Sequence, residues 1–453
     1  MLTFIRRKFN RLTSDKKFSE ILVGSAFALT ARVGGTALVM LSSIIIARSY
    51  GAEAVGVLAM INSFLMLVTI FTVLGTGTSI LRMIPEHVVA HSVTSAFLVY
   101  RKTQYLVAAV SLVTGTVFFF ASGLVAERVF SKPHLSLLFA LASCFVVFKS
   151  LMDLNTQAVR GLRLIRTFAI MQVLPGLVML AFLVGGTVLL PNPDNPVYAQ
   201  LAAFVVTALV GALIMDRAFK QRMRGDDAVC SVSVREIAST SLPMLMTASM
   251  QFFIGQTGVV MLGMFRPVQE VGYYSVAVKL ATLTSFVLQA INSMAAPKFS
   301  ELYHLGKLDD LFHVARKSGK LIFWSSAPIL LVLLSGGKQI LAVVFGKEFT
   351  LAYGSMVLLV LGQFVSSISG STGNFMNMTG MQKVLRNIMF CSAMINIGLG
   401  LVLIPRHGIY GAAISGVTSV CFWNLCALLS IKVRFGRTIG YLPLLRGAKL
   451  KVR

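Results

Sequence analysis

The sequence predicts an all-α membrane protein with about twelve transmembrane helices in two six-helix bundles that are related by an internal repeat. Three observations lead to this prediction. Hydrophobic residues make up 56% of the 453 residues and charged residues only 13%, against roughly 25% charged residues in a typical soluble domain. Apolar stretches of bilayer-spanning length recur along the whole chain. The second half of the chain repeats a pattern of the first half. This composition excludes a soluble globular protein and a disordered chain.

Twelve apolar stretches are predicted to span the membrane, and each can cross about 30 Å of hydrocarbon as a helix. In chain order they cover residues 21–47, 54–81, 105–126, 135–158, 167–190, 197–216, 236–265, 272–297, 321–345, 352–378, 387–404 and 409–431. The connecting loops are short. The sequence contains no G-x-x-x-x-G-K-[ST] loop, so the chain is not expected to hydrolyse ATP itself.

The distribution of basic residues predicts the orientation of these spans. The chain has 41 Lys and Arg against 16 Asp and Glu, a net charge of +25. Thirty-one of the 41 fall in the two termini and the alternate loops on the same side, seven fall on the opposite side when Lys338 near the outer end of span 9 is included, and three others lie within spans. Because basic loops stay in the cytoplasm, both termini of this multi-pass protein are predicted to be cytoplasmic. The same placement in short loops argues against nucleic acid as a partner.

An internal repeat becomes visible when the chain is shifted against itself. With an offset of 216, residues 20–56 align without a gap on residues 236–272. With an offset of 219, residues 155–161 (NTQAVRG) align on residues 374–380 (NFMNMTG). Six spans per unit is an even number, so both repeats begin on the same side of the membrane. They are therefore predicted to be parallel repeats around an axis along the membrane normal, with a cleft that opens to either side in turn.

This repeat divides the chain into predicted segments. The segments are a basic tail at 1–20, a six-helix bundle at 21–216, a cytoplasmic linker at 217–235, a second six-helix bundle at 236–433 and a basic cytoplasmic tail at 434–453. The first tail alternates aromatic and aliphatic residues with Arg and Lys, which is typical of an interfacial helix on anionic lipid. A simple positive-inside anchor explains the same pattern equally well.

Three short motifs resemble the oligosaccharide flippase family within the multidrug, oligosaccharidyl-lipid and polysaccharide exporter superfamily. They are residues 47–56 (ARSYGAEAVG), residues 271–277 (VGYYSVA), and the late set 379–383 (TGMQK), 395–397 (INI) and 404–413 (IPRHGIYGAA). The resemblance extends over roughly residues 20–435. It implies a flippase in the bacterial plasma membrane that moves polyprenyl-diphosphate-linked oligosaccharides. The family often has an acidic residue late in span 7, and Gly258 stands at that place here.

Two basic residues within spans are candidate substrate ligands, because a charge at the centre of a span costs about 2.5–3.5 kcal/mol. Arg32 shares a polar stripe of span 1 with Ser25, Thr36 and Ser43. Its guanidinium could form two hydrogen bonds to a phosphate of the diphosphate that the resemblance implies. The alternative is a structural bond to carbonyls of a neighbouring helix. Lys279 in span 8 would supply a second cation, or its side chain could simply reach the outer surface.

A second candidate site in span 4 is a charged pair one helical turn apart. Lys149 and Asp153 can neutralise each other, which lowers the cost of burying them. The pair is predicted to be either a structural ion pair or a gate at which Asp153 changes its partner.

Uncharged polar residues in spans 8 and 10 form a third candidate site. Span 8 continues from Lys279 with Gln289 and Asn292 along one wide face, and span 10 places Gln363 and Asn374 on a common face. Hydroxyls and amides are suited to bind the hydroxyls of a glycan, and Gly370 in span 10 permits bending or close helix packing. Helix packing alone explains the Ser and Gly residues about as well.

The function that this pattern favours is transport and not catalysis. The expected partners are a polyprenyl-diphosphate-linked oligosaccharide, membrane lipids, and a polysaccharide polymerase with its glycosyltransferases; no metal or cofactor is expected. A multidrug exporter is an alternative, although it would need acidic, aromatic pockets for organic cations. A lipid II flippase is a further alternative, but that group usually has two more spans. A membrane glycosyltransferase or polymerase would need catalytic acids in larger outer loops.

Overall fold

A computed structural model describes residues 16–189, 192–223 and 233–441, and every regular element in these ranges is helical. This confirms the predicted all-α class. Most of the predicted N-terminal tail, the centre of the predicted linker and the end of the C-terminal tail lie outside the described residues.

Thirteen main helices follow one another along the described chain, and short helical turns connect some of them. They are α1 (Lys16–Val73), α2 (Thr76–Ala90), α3 (Val93–Phe120), α4 (Ser136–Gly161), α5 (Ile165–Leu189), α6 (Asn195–Lys220), α7 (Val234–Phe265), α8 (Val268–Thr282), α9 (Ser285–His304), α10 (Leu308–Ile340), α11 (Tyr353–Ser369), α12 (Thr372–Met378) and α13 (Gln382–Phe435). The loop after α3 contains a five-residue π-helical turn at Val125–Val129, and a similar turn at Leu341–Phe345 follows α10.

Two of these helices each contain a sharp turn at a glycine. In α1, Gly51 has φ 78° and ψ −176°, and in α13, Gly408 has φ 52° and ψ −127°. Only glycine adopts these conformations readily, because it has no Cβ to clash with its own backbone. A Cβ at Gly408 would collide with Glu270, whose carboxylate pairs with Arg266 at 2.7 Å. Both glycines belong to the motifs noted above.

The described helices support several crossings of a membrane. Eight are long and apolar enough to span it, and the bent pair α8–α9 raises this to nine. Two of the eight are the long helices that Gly51 and Gly408 divide. Many large apolar side chains are exposed, among them Phe120, Leu331 and Val433, as expected for helices whose outer faces contact lipid. The chain is therefore a multi-pass membrane protein, and the number of twelve spans stays a prediction.

The chain divides into two compact units. The first comprises residues up to Ser43, Leu65–Glu127 and Lys132–Ala248, and the second comprises Ile44–Phe64, Arg128–Ser131 and the chain from Ser249 onward. The bounds of these units differ from those of the predicted bundles at 21–216 and 236–433, because the segment Ile44–Phe64 packs with the second unit. The bundle division stays a prediction.

Each unit has its own apolar core. In the first unit, α2, α3, α4 and α6 enclose Tyr100 and Phe219, whose rings stack at 5.7 Å between centroids. In the second unit, α9, α10, α12 and α13 enclose Phe299, Phe312 and Phe375. The phenyl rings of Phe312 and Phe375 lie 5.3 Å apart, a separation typical of favourable aromatic packing.

Candidate functional site

The candidate residues of the first unit lie on α1 and α4. Arg32 is on α1, where its side chain is exposed and its carbonyl accepts a hydrogen bond of 2.9 Å from the hydroxyl of Thr36. Within the part of the chain that the structure describes, no ion-pair or hydrogen-bond partner contacts its guanidinium. Ser25, on the same predicted stripe, is not among the residues whose side chains the structure describes. The role of Arg32, as a substrate ligand or as a structural residue, stays a prediction.

Lys149 and Asp153 form the ion pair that their spacing predicts. The ammonium and one carboxylate oxygen are 2.5 Å apart, and both side chains are partly buried. The ammonium also lies 5.7 Å from the ring centre of Phe204 on α6, within the range of a cation–π contact. The Lys149 charge is therefore stabilised by an acid on its own helix and by an aromatic face on its neighbour.

The same unit contains polar contacts that the sequence did not reveal. Asn155 is fully buried, accepts a hydrogen bond of 2.9 Å from the hydroxyl of Tyr100 and donates one of 3.1 Å to the carbonyl of Ala208. Arg101 on α3 pairs with Asp216 on α6 at 2.8 Å. These bonds connect α3, α4 and α6, so Asn155 has a structural role there. Its place in the repeat was visible in the sequence, but its partners were not.

The candidate residues of the second unit surround two broken helices. The first break separates α8 from α9, whose axes differ by 42°. The second separates α11 from α12 at Gly370, where φ is 71° and ψ is −142°. Gly370 therefore interrupts the span, as the sequence suggested it could. The common face predicted for Gln363 and Asn374 assumed a continuous helix, and the break at Gly370 divides it.

The two broken helices are hydrogen-bonded to each other through α9, on either side of the second break. Ser285, the first residue of α9, donates a hydrogen bond of 3.0 Å to the amide oxygen of Gln363 on α11. Ser371, next to the second break, donates one of 2.5 Å to the amide oxygen of Asn292 on α9. Uncharged hydroxyls and amides thus line this region, and two of the predicted ligands, Asn292 and Gln363, lie within it.

The remaining predicted ligands lie close to these breaks along the chain. Lys279 is half-buried in the last turn of α8, and its carbonyl accepts a hydrogen bond of 3.0 Å from the hydroxyl of Thr282. Gln289 is half-buried on α9 and Asn374 is half-buried on α12. Broken helices whose ends present polar backbone groups frequently form the binding sites of transporters.

The position where the resembled family often has an acid is filled by an aromatic ring. A Cβ at Gly258 would lie 2.5 Å from the hydroxyl of Tyr274 and 2.8 Å from the ring. Tyr274 is 6% exposed, and its hydroxyl donates to the carbonyl of Ala412. An acidic side chain at 258 would have no room unless Tyr274 moved.

The second unit also contains a close helix crossing with internal symmetry. Gly56 lies against the backbone of Val268, and Gly272 lies against the backbone of Ala52; a Cβ at either glycine would collide with the carbonyl oxygen opposite. These four residues are two pairs of equivalents under the offset of 216. Glycine at both positions is what allows the backbones to approach this closely. We call this contact the glycine crossing.

Side-chain contacts extend the glycine crossing in the same unit. Gln269 donates a hydrogen bond of 3.0 Å to Glu53, again a pair of equivalents under the offset of 216. Ser63 donates one of 2.9 Å to the amide oxygen of Gln256. Arg48 donates to the carbonyls of Val343 and Val344 in the π-helical turn after α10, a favourable position for a cation at the end of a helix.

Sequence comparison places the chain among polysaccharide biosynthesis proteins. The family described as "Polysaccharide biosynthesis protein" matches residues 21–303. A protein of Haloferax volcanii described as "Probable low-salt glycan biosynthesis flippase Agl15" is 22% identical over 251 residues, which cover 54% of this chain and 52% of that protein. An uncharacterised membrane protein of Methanocaldococcus jannaschii, MJ1068, is 20% identical over 218 residues, 48% of this chain and 43% of that protein. The chain thus matches about half the length of these relatives.

Structural comparison matches nearly the whole chain to transporters. The lipid II flippase MurJ in an inward closed conformation matches with a TM-score of 0.68 and 13% identity, over 91% of this chain and 87% of that chain. An inward-facing multidrug resistance transporter of the MATE family matches with a TM-score of 0.65 and 15% identity, over 90% of this chain and 98% of that chain. At such low identity the similarity establishes a shared fold.

Proposed function

The chain belongs to the polysaccharide biosynthesis protein family, and on this premise we propose that it flips a polyprenyl-diphosphate-linked oligosaccharide across the bacterial plasma membrane. The glycan would be a repeat unit of an exopolysaccharide, a capsule or an O-antigen. The protein acts as a transporter and not as an enzyme, and it exposes its binding site to the two sides of the membrane in turn. A polymerase and glycosyltransferases would act before and after it.

The observation that carries this proposal is the polar region around the two broken helices. The contacts between Ser285 and Gln363 and between Ser371 and Asn292 bring hydroxyl and amide groups together in a membrane-spanning unit. A glycan presents many hydroxyls, which can both donate and accept hydrogen bonds. Amides and hydroxyls have the same dual capacity, so they can exchange their mutual bonds for bonds to a sugar at little cost.

The diphosphate would be bound by cations. Arg32 has an exposed guanidinium on α1, and Lys279 is near the break between α8 and α9. A guanidinium can form two parallel hydrogen bonds to a phosphate, while an ammonium acts as a compact charge. Position 258, where the resembled family often has an acid, is Gly here and is packed against Tyr274; the lack of that acid favours an anionic substrate over the organic cations of a multidrug exporter.

Alternating access requires contacts that can separate, and we propose that the glycine crossing is such a contact. Its backbones meet at Gly56 and Gly272, and the side-chain hydrogen bond from Gln269 to Glu53 beside them is exposed. The predicted topology puts this crossing near the outer surface. In our proposal it closes the outer side and separates when the substrate leaves.

A proteoliposome assay tests the proposal. The probe is a fluorescent polyprenyl-diphosphate-linked trisaccharide whose label is quenched by an impermeant reductant when it reaches the outer leaflet. The wild-type chain should accelerate its appearance there. Arg32→Ala should slow it by about tenfold, the loss expected for charged hydrogen bonds, and Arg32→Lys should recover part of the rate.

The matched control is Arg82→Ala, since Arg82 forms an exposed pair with Glu86 at 3.5 Å and such pairs contribute little. A wild-type rate for Arg32→Ala would remove Arg32 from the binding site. Transport of an organic cation dye in place of the probe would favour the multidrug alternative.

The predicted orientation has its own test by cysteine labelling in a variant without the native cysteines. Pro193→Cys should react with an impermeant maleimide in intact cells, and Lys307→Cys should react only after the membrane is permeabilised. Both native residues are exposed. The neighbouring Asn195 is unsuitable for labelling, because it is 8% exposed and donates to the carbonyl of Leu183. The reverse labelling pattern would invert the topology.

A further inference from the structure

The residues that follow the last helix fold back onto the second unit. Helix α13 stops at Phe435, and Gly436 adopts the left-handed conformation with φ 69° that commonly ends a helix. Residues 436–441 then run along α10 and α11. We call this segment the C-terminal clasp.

Three kinds of contact hold the clasp in place. Ile439 is 1% exposed and belongs to the core that contains Phe312 and Phe375. Arg316 on α10 donates a hydrogen bond of 3.0 Å to the carbonyl of Thr438. Arg437 pairs with Asp309 at the start of the same helix. A tail that merely left the membrane would have no need for a buried isoleucine.

The end of the clasp reaches the break in span 10. The backbone N–H of Tyr441 donates a hydrogen bond of 2.9 Å to the carbonyl of Ile368, which lies two residues before Gly370. In a continuous helix that carbonyl would accept from residue 372, but the break removes this partner. The clasp therefore satisfies a backbone group that the break would otherwise leave unpaired in a membrane-spanning segment.

The ring of Tyr441 adds a second attachment to the same place. Its hydroxyl accepts a hydrogen bond of 3.3 Å from the indole of Trp324, and its ring lies 5.7 Å from that of Phe323. Gly319 on α10 fits between the clasp and the break: a Cβ there would lie 3.3 Å from the carbonyl of Ile439 and 4.0 Å from Gly370. The clasp, α10 and the break thus pack against one another without a gap.

We propose that the C-terminal clasp is a positioning element for the substrate site, because it fixes the break at Gly370 and with it the contact between Ser371 and Asn292. This inference rests on the proposed function only in naming the site as the one that binds the glycan. Ser371 directly follows Gly370 and binds Asn292 at 2.5 Å. A change in the backbone at the break would therefore change the position of Ser371 relative to Asn292 on α9.

The test uses a pair of substitutions at one position. Tyr441→Ala removes the ring and keeps the backbone N–H, whereas Tyr441→Pro removes both. Their difference isolates the bond to Ile368. Both variants keep Ile439 and the rest of the clasp, so the folded protein can be purified; elution as a single species in detergent and helical content serve as checks of folding.

The first readout needs no substrate. The chain has two tryptophans, and a Cβ at Gly373 on α12 would lie 3.9 Å from Trp423. In a Trp324→Phe background, the emission of Trp423 reports the position of α12 beyond the break. Tyr441→Pro should shift this emission and its quenching by acrylamide relative to Tyr441→Ala. Identical spectra for the two variants would overturn the proposal.

The second readout is the concentration dependence of probe flipping in proteoliposomes. Tyr441→Pro should raise the apparent KM by about fivefold relative to Tyr441→Ala, the effect expected for one backbone hydrogen bond, with a smaller change in the maximal rate. An altered Trp423 spectrum with an unchanged apparent KM would also overturn the positioning role. If the wild-type chain does not flip the probe, the proposed substrate is wrong, and Trp423 still decides whether the clasp fixes the break.

Discussion

Helix α4 and the pair α11–α12 occupy equivalent places in the two halves under the offset of 219, yet they accommodate polar groups in opposite ways. Helix α4 is continuous and carries Lys149 and Asp153. The equivalent positions in the second half are Ile368 and Thr372, which lie on opposite sides of the break at Gly370. One half neutralises charge within a single helix, and the other distributes uncharged polar groups over several helices.

This difference shows whether the polar groups of each half have their partners on the same helix or on other helices. A pair at i and i+4 needs only an intact helix. A broken helix loses that spacing, and its freed groups need partners elsewhere. The carbonyl of Ile368 accepts a hydrogen bond from the backbone N–H of Tyr441, and the hydroxyl of Ser371 donates one to Asn292. The hydroxyl of Thr372 donates one of 3.5 Å to Asn424 on α13. The effects of substituting Lys149 and Asp153 in α4 should therefore depend on each other, and substitutions around Gly370 should affect several helices.

The largest effect is expected for the charged pair. Lys149→Ala or Asp153→Ala leaves one charge alone in a span, at a cost of about 3 kcal/mol, so each single variant should accumulate poorly. The double variant should recover its level in the membrane. Membrane abundance and probe flipping, measured side by side, check this.

The same three variants separate the two functions that the sequence left open for this pair. Recovery of both level and flipping in the double variant indicates a structural ion pair. Recovery of level without flipping indicates that Asp153 acts as a gate or carries a cation. Full level and activity in both single variants would contradict both interpretations.

A medium effect is expected at the break. Gly370→Ala forces an L-residue into a conformation that glycine alone adopts easily and puts a Cβ 3.1 Å from Gly319, at a cost of about 2 kcal/mol. Thermal stability in detergent should fall. Gly373→Ala is the matched control, because Gly373 is helical and has room for a Cβ. Equal stability of the two variants would mean that the break is not fixed.

The smallest effect is expected for a single contact between the broken helices. In a double-mutant cycle, Asn292→Ala and Ser371→Ala should show a coupling of about 1 kcal/mol in the free energy of unfolding. Gln289→Ala, three residues earlier on the same helix, should be additive with Ser371→Ala. If the coupling free energy between Asn292 and Ser371 were as large as that between Lys149 and Asp153, the two halves would not differ in the way proposed here.

The sequence by itself determined whatever depends on composition or on spacing within one helix. Its low charge and recurrent apolar stretches identified a helical membrane protein, and its motifs identified the family that the comparisons confirm. The ion pair of Lys149 and Asp153 was also predictable, because residues four apart on a helix are always neighbours. Gly370 was recognised as a place where a helix could bend.

Only the tertiary structure decided which residues from distant parts of the chain meet. The offset of 216 aligned Gly56 with Gly272, but an alignment of equivalent positions does not show that they contact each other. That contact appears only in the folded chain. Asn155 was a repeat position in the sequence and is a buried link between helices in the structure. The bond from Tyr441 to Ile368 spans more than seventy residues. It depends on a carbonyl that becomes free only because the helix breaks, and no local pattern in either segment encodes that partner.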